Sequence, residues 1–113
     1  MDGKEIGWMR LRKEIDELVE EEVELIATIS DALAHPARVR LFRHIMNCNK
    51  RREPVCTGDL VEAFEYSQAT ISQHMKKLAD SGLIDVKRKD KYSLYYVNIG
   101  RLTKYLDATR KFQ

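Results

Sequence analysis

Only two cysteines, Cys48 and Cys56, occur in the 113 residues. That is too few for a disulfide-stapled secreted scaffold, and a cytoplasmic setting is expected. No apolar run approaches the roughly 20 residues that a membrane-spanning helix needs. The opening residues do not read as a signal peptide, so no membrane partner is expected. Glycine is scarce, at five residues, with no cluster that would cradle a phosphate. No Ser/His/Asp set, catalytic carboxylate pair or cofactor loop is legible, which argues against an enzyme and leaves no cofactor certain. Internal repeats and low-complexity tracts are missing too. The length suits one domain with a modest core.

What is present is an uneven distribution of charge. The net charge of +2 says little by itself. Residues 1–65 hold 10 basic and 14 acidic side chains, net −4, whereas residues 66–113 hold 10 basic and 4 acidic, net +6. The second half therefore carries a field that favours a polyanion.

Within that half, Ser67 to Gly82 reads as one helix with both ends marked. Ser67 can cap the first turn by accepting from backbone N–H groups, and Gly82 supplies the left-handed residue that ends many helices. Ile71, Met75 and Leu78 recur at helical spacing as an apolar stripe. Ser72, Gln73, Lys76 and Lys77 fall on the other side, with Gln68 in the first turn. Serine and glutamine suit base edges, and lysine suits phosphates. An ordinary solvated face, the competing reading, would more often carry Glu–Lys pairs, and this helix has no glutamate. Ser67, Gln68, Thr70, Ser72, Gln73, His74, Lys76 and Lys77 are the candidate DNA-contacting residues here. His74 lies between stripe and polar face, suited to packing or to a phosphate.

The surrounding chain supports this. Residues 1–13, with an isolated Trp8, read as a flexible segment, and 14–113 as the folded domain. A long amphipathic helix is expected from about Glu14 to Leu33, with Ile15, Leu18, Val19, Ile26, Ile29 and Leu33 on one face, interrupted by Glu22. Twenty residues of helix span about 30 Å, long for one small domain, so part of the stripe is expected to pack on a second subunit; the alternative is that it lies wholly on its own core. His35-Pro36 breaks this helix and starts another, to about Asn47, with Val39, Phe42, Ile45 and Met46 inward. A polar loop, Asn49 to Pro54, precedes a short helix at about Thr57–Phe64. A tight turn then leads into the Ser67 helix, which is helix-turn-helix spacing.

After Gly82 the period changes to that of strands. Leu83–Lys89 and Tyr92–Asn98 flank Asp90-Lys91 as an antiparallel hairpin. Its tip carries Lys87, Arg88, Lys89 and Lys91, a basic wing that can reach phosphates or a minor groove. A last helix, opened by Asn98 or Gly100 and reaching about Lys111, has Leu102, Tyr105, Leu106 and Thr109 on one face. With no core left to cover in one subunit, it is expected to pair with the first helix across a dimer. The expected fold is mainly α with a small β-hairpin, a dimeric winged helix-turn-helix.

Ala32-Leu33-Ala34-His35-Pro36-Ala37-Arg38-Val39-Arg40-Leu41, Asp59-Leu60, Ser67 to Leu78 and Ser81-Gly82-Leu83-Ile84 resemble the ArsR/SmtB family of bacterial winged-helix repressors, over about residues 15–110. The resemblance implies a homodimer joined through first and last helices, bound to double-stranded operator DNA and released by an inducer. Family inducers are often metals or oxidants. Arsenic and cadmium sensors of the family carry Cys-x-Cys before the Asp-Leu. Here Cys56-Thr57-Gly58-Asp59-Leu60 keeps the first cysteine and has Gly58 for the second. Zinc sensors carry ligands on the last helix, where this chain has Asp107 but no histidine.

The remaining soft chemistry is the thiol pair, separated by a loop with Lys50, Arg51 and Arg52. Neighbouring cations favour thiolate, and a disulfide or polysulfide bridge forms if the Cα atoms come within about 7 Å. Cys48 and Cys56 are thus candidate sensors of oxidant or reactive sulfur. Two other readings stand beside this. Both cysteines can be small core residues. Alternatively, His44 and Cys48, at i and i+4, can join Cys56 around a thiophilic metal ion. For the chain as a whole, the alternative to a DNA-binding regulator is a winged-helix protein-interaction module with no inducer site.

Overall fold

The computed structural model describes residues 17–113. The expected flexible segment 1–13 and the expected helix start at Glu14 lie outside these residues. The elements are α1 (Glu20–Ala32), α2 (Pro36–Lys50), α3 (Thr57–Phe64), α4 (Gln68–Asp80), β1 (Ile84–Lys89), β2 (Tyr92–Val97) and α5 (Ile99–Thr109), closed by a 3-10 turn at Arg110–Phe112.

The first helix is shorter than its periodicity suggests. Val19 is extended, at φ −87° and ψ 163°, and α1 begins after it. Glu22 is not a flaw in the apolar stripe. Its carboxylate accepts from the Val19 backbone N–H at 3.1 Å and so caps the helix start. Lys111 Nζ donates to the same carboxylate and to the Glu17 carbonyl, each at 2.9 Å. The Lys111 hydrogen bond, followed by that from Val19, holds Glu22 below the usual carboxylate range.

α2 starts as proline and a capping histidine dictate: His35 Nδ1 accepts from the Ala37 N–H at 3.0 Å. The helix runs on to Lys50, past the expected end at Asn47. Its inward set also differs from expectation. Ala37, Leu41, Phe42, Ile45 and Cys48 are buried, whereas Val39 is 47% exposed. Val39 turns out on the face that carries Arg40 and Arg43, both exposed, because the buried i, i+4, i+8 series starts from Ala37 and leaves position 39 outside.

The core gathers Ile29, Leu41, Ile45, Leu60, Ile71, Leu78 and Leu83, all fully buried. Each such side chain contributes about 1.5–3 kcal/mol relative to exposure. α5 packs on α1 of its own chain, with Ala108 buried and the Tyr105 hydroxyl 3.1 Å from Ser30 Oγ. The expectation that the last helix has nothing to cover within one subunit is therefore corrected: α5 covers a flank of α1 in its own chain.

The hairpin is antiparallel, with Ile84 opposite Val97 and Lys89 opposite Tyr92. Asp90 takes φ +56° in the two-residue connection, a conformation that aspartate tolerates better than most side chains. Asn49, expected in a loop, lies in the last turn of α2 and docks the hairpin. Its Oδ1 accepts from the Val97 N–H at 2.8 Å and its Nδ2 donates to the Tyr95 carbonyl at 3.4 Å. Tyr95 OH also lies 2.8 Å from Thr57 Oγ1 at the start of α3. The hairpin is thus fastened to both α2 and α3.

Candidate nucleic-acid interface

α4 is capped as its sequence dictates. Ser67 Oγ accepts from the Thr70 N–H at 3.1 Å and donates to Thr70 Oγ1 at 3.0 Å. Gly82 takes φ +86° after the helix end. Ile71, Met75 and Leu78 are buried, which anchors one side of α4 and turns Gln68, Ser72, Gln73 and Lys76 to solvent. Ser67 and Thr70 therefore spend their hydroxyls on the cap, while Gln68, Ser72 and Gln73 keep theirs or their amides free for base edges.

Across from this face stands the hairpin. Gln68, Ser72, Lys76, Arg88, Lys91 and Ser93 line an open cleft of about 680 Å³ between α4, the start of α3 and the wing. Strand alternation divides the wing cations. Arg88 projects with Val86 and Tyr95 toward α4, its guanidinium donating to Ser93 Oγ at 3.0 Å. Lys87 and Lys89 belong to the opposite face; Lys87 Nζ lies 5.4 Å from the Tyr96 ring centroid, and Lys89 borders a smaller apolar hollow with Pro54, Cys56 and Leu94. Lys91 lies at the connection, 5.9 Å from the Tyr92 ring centroid. All four cations are exposed.

Two residues expected at the interface make contacts within the fold. Lys77 Nζ is 2.7 Å from Asp31 Oδ2 on α1, and that hydrogen bond holds the Asp31 carboxyl below its ordinary range. His74 turns inward, because it falls beside the buried stripe of Ile71, Met75 and Leu78. Its Nδ1 is 3.4 Å from Arg38 NH1, and its ring packs 4.7 Å from His35 and 6.2 Å from Tyr66. Burial, then the nearby charges of His35 and Arg38, push its pKa down. Sequence reasoning gave Arg38 no role, yet it donates to the Ala32 carbonyl at 2.7 Å and ties α1 to α4. The one available signal was an arginine two residues after a helix-starting proline.

A protein-family model described as a helix-turn-helix domain matches residues 33–87. The arsenical resistance operon repressor of Staphylococcus xylosus is 32% identical over 73 residues, which cover 65% of either chain. That of Bacillus subtilis (strain 168) is 36% identical over 67 residues, covering 59% of this chain and 60% of that repressor. Among solved structures, an ArsR-like transcriptional regulator from Rhodococcus sp. RHA1 superposes with a TM-score of 0.69 over 81% of this chain and 82% of that one, at 16% identity. The chain has the winged helix-turn-helix fold and is similar to transcriptional regulators of the ArsR/SmtB type. It spans less than two thirds of the length of the curated relatives it matches. Both of these relatives are repressors.

The two thiols sit in different surroundings. Cys48 is 6% exposed, with His44 Nε2 at 3.6 Å and Arg51 NH2 at 3.8 Å from its sulfur. Cys56 is half-buried. Its backbone N–H donates to Asp59 Oδ2 at 2.9 Å and it bridges to Leu94 of the wing. His44 and Cys48 are thus brought together, as their i, i+4 spacing requires. The proposed set of His44, Cys48 and Cys56 is not: among the described residues no group of three or more His, Cys, Asp or Glu side chains could hold a metal ion. The physical reason is that Cys48 is committed to the inner face of α2, whereas Cys56 opens α3 beside the wing.

Proposed function

We propose that this chain is a homodimeric repressor that binds duplex DNA sequence-specifically, with α4 in the major groove and the wing along the adjacent backbone. The observation that carries this is the cleft in which Gln68 and Ser72 of α4 face Arg88 and Lys91, with Gln73 exposed on the same helix outside its lining. Gln68, Ser72 and Gln73 read base edges; Lys76, Arg88 and Lys91 hold phosphates, with Lys87 and Lys89 adding to the field. His74 and Lys77 serve the fold instead. Selection from a random-sequence duplex library tests the reading. One enriched sequence should emerge, bound at least about a thousandfold more tightly than random duplex, with affinity falling steeply as salt rises. Binding without sequence preference, or insensitive to salt, would favour a protein-interaction module.

The dimer reading rests on exposed apolar side chains, Val19 and Val23 on the α1 side and Leu106 and Phe112 on the α5 side, of two elements that pack on each other. For release, a thiol-directed signal, oxidant or reactive sulfur, is the reading the residues favour. Cys56 joins α3 to the wing, and the Cys48 sulfur accepts from Arg51 NH2 and lies beside His44 Nε2. Oxidant or polysulfide should free the wild type from DNA, while Cys48→Ser and Cys56→Ser stay bound. A double variant that responds as the wild type does would reduce both thiols to packing residues.

A further inference from the structure

His35 and His74 meet where α1, α2 and α4 converge, and each uses its Nδ1 as an acceptor. His35 Nδ1 takes the Ala37 backbone N–H at 3.0 Å, which caps α2. His74 Nδ1 faces Arg38 NH1 at 3.4 Å. A backbone N–H and a guanidinium only donate, so both contacts need an Nδ1 without a proton, whereas imidazolium carries N–H on both nitrogens. Arg38 also donates Nε to the Ala32 carbonyl at 2.7 Å and NH2 to the Asp31 carbonyl at 3.4 Å. It thereby partners the Ala32 carbonyl at the end of α1 and adds a second donor to the Asp31 carbonyl, which also accepts from the Ala34 N–H at 3.2 Å.

We propose that His35, Arg38 and His74 form a proton-sensitive lock that positions α4 against α1, closed while both imidazoles are neutral and opened when they take up protons. The proposal rests on α4 being the DNA-reading helix. A proton on His74 removes its bond to Arg38 and sets a second cation against the guanidinium. A proton on His35 removes the α2 cap and adds a third positive charge 4.7 Å away, ring to ring. The groups facing this junction are Asp31 from α1, Arg38 from α2, Tyr66 from the turn before α4, and Lys77 of α4 itself. Asp31 is engaged first by Lys77 at 2.7 Å and acts on Arg38 only through space, as the weaker of its two charge interactions.

The pKa of His74 agrees in direction: burial first, then His35 and Arg38, hold it below the ordinary imidazole value. A histidine depressed in the folded state contributes its full stability above the unfolded value of about 6.5 and loses it as pH falls toward the folded value. The lock is therefore closed at neutral pH and opens on acidification.

The test compares the wild type with the His35→Asn/His74→Gln double variant at about pH 7.5 and about pH 5.5, either side of the imidazole range. Both new amide oxygens can accept the same bonds without titrating, and His44 is common to both proteins, so its contribution cancels. The probe is the duplex enriched by the wild type from a random library, with ionic strength held constant. Between the two pH values the wild type should lose about tenfold or more in affinity and fall in unfolding temperature; the double variant should change far less in both. An equal loss in both proteins overturns the lock. So does tighter wild-type binding in acid, which would mean that the imidazolium contacts phosphate. If no duplex is enriched, the DNA-reading role of α4 fails, and the unfolding temperatures alone decide the lock: equal falls overturn it and a fall confined to the wild type upholds it.

Discussion

Lys77 on α4 ends on the carboxylate of Asp31 at the far end of α1, with Nζ 2.7 Å from Oδ2. Lys76, its neighbour in sequence, reaches only Asp80 of its own helix, at 2.9 Å. The contact from Lys77 joins two elements, whereas the one from Lys76 is an exposed i, i+4 pair that a phosphate can replace at little cost. In the proposed reading, two adjacent lysines that look alike in the sequence therefore divide their work between holding α4 and holding DNA. Lys76→Ala should lower the slope of log affinity against log salt by about one. Lys77→Ala should leave that slope nearly unchanged and slightly lower the urea midpoint. The opposite pattern would reverse the assignment.

Gly82 is held at φ +86°, and a Cβ there would stand 2.9 Å from Arg101 Nε. That nitrogen donates to the Ser81 carbonyl at 3.1 Å. Gly82→Ala should thus suffer twice, through left-handed strain of about 1–2 kcal/mol and through displacement of the Arg101 bond. Equilibrium unfolding should show a loss of at least about 1 kcal/mol at an unchanged m-value. A neutral substitution would mean that the turn relaxes freely.

These contacts mark the boundary of what was legible in the chain. The cap at Ser67, the buried stripe of Ile71, Met75 and Leu78, the left-handed Gly82 and the two-residue hairpin are set by local chemistry and spacing, so they could be read directly. The partners of Lys77, His74 and Arg38 come from other helices, and no periodicity reveals them. Val39 was misplaced because several registers of one amphipathic helix bury similar numbers of apolar residues. Glu22 looked like an interruption because its role as a cap depends on where α1 starts. The last helix was given nothing to cover in its own subunit because its contacts with α1 are distant in sequence.

Leu106 is 48% exposed on α5, and the dimer reading places it against a second copy. Sedimentation of the wild type at micromolar concentration should give twice the 13.2 kDa chain mass. Leu106→Glu should shift the protein toward monomer and weaken DNA binding in parallel, since two half-sites can then no longer be held together. Leu106 being already exposed, the folded monomer should keep its unfolding temperature. A wild-type monomer that binds the selected duplex would contradict the dimer.

The most direct measurement of the central claim, that α4 reads bases while the wing holds the backbone, sets Gln73→Ala beside Arg88→Ala on two duplexes, the selected sequence and a random one. Gln73→Ala should cost about 1–3 kcal/mol on the selected duplex and little on random DNA. Arg88→Ala should weaken both about equally and reduce the salt slope by about one. Equal losses for both variants on both duplexes would contradict the account.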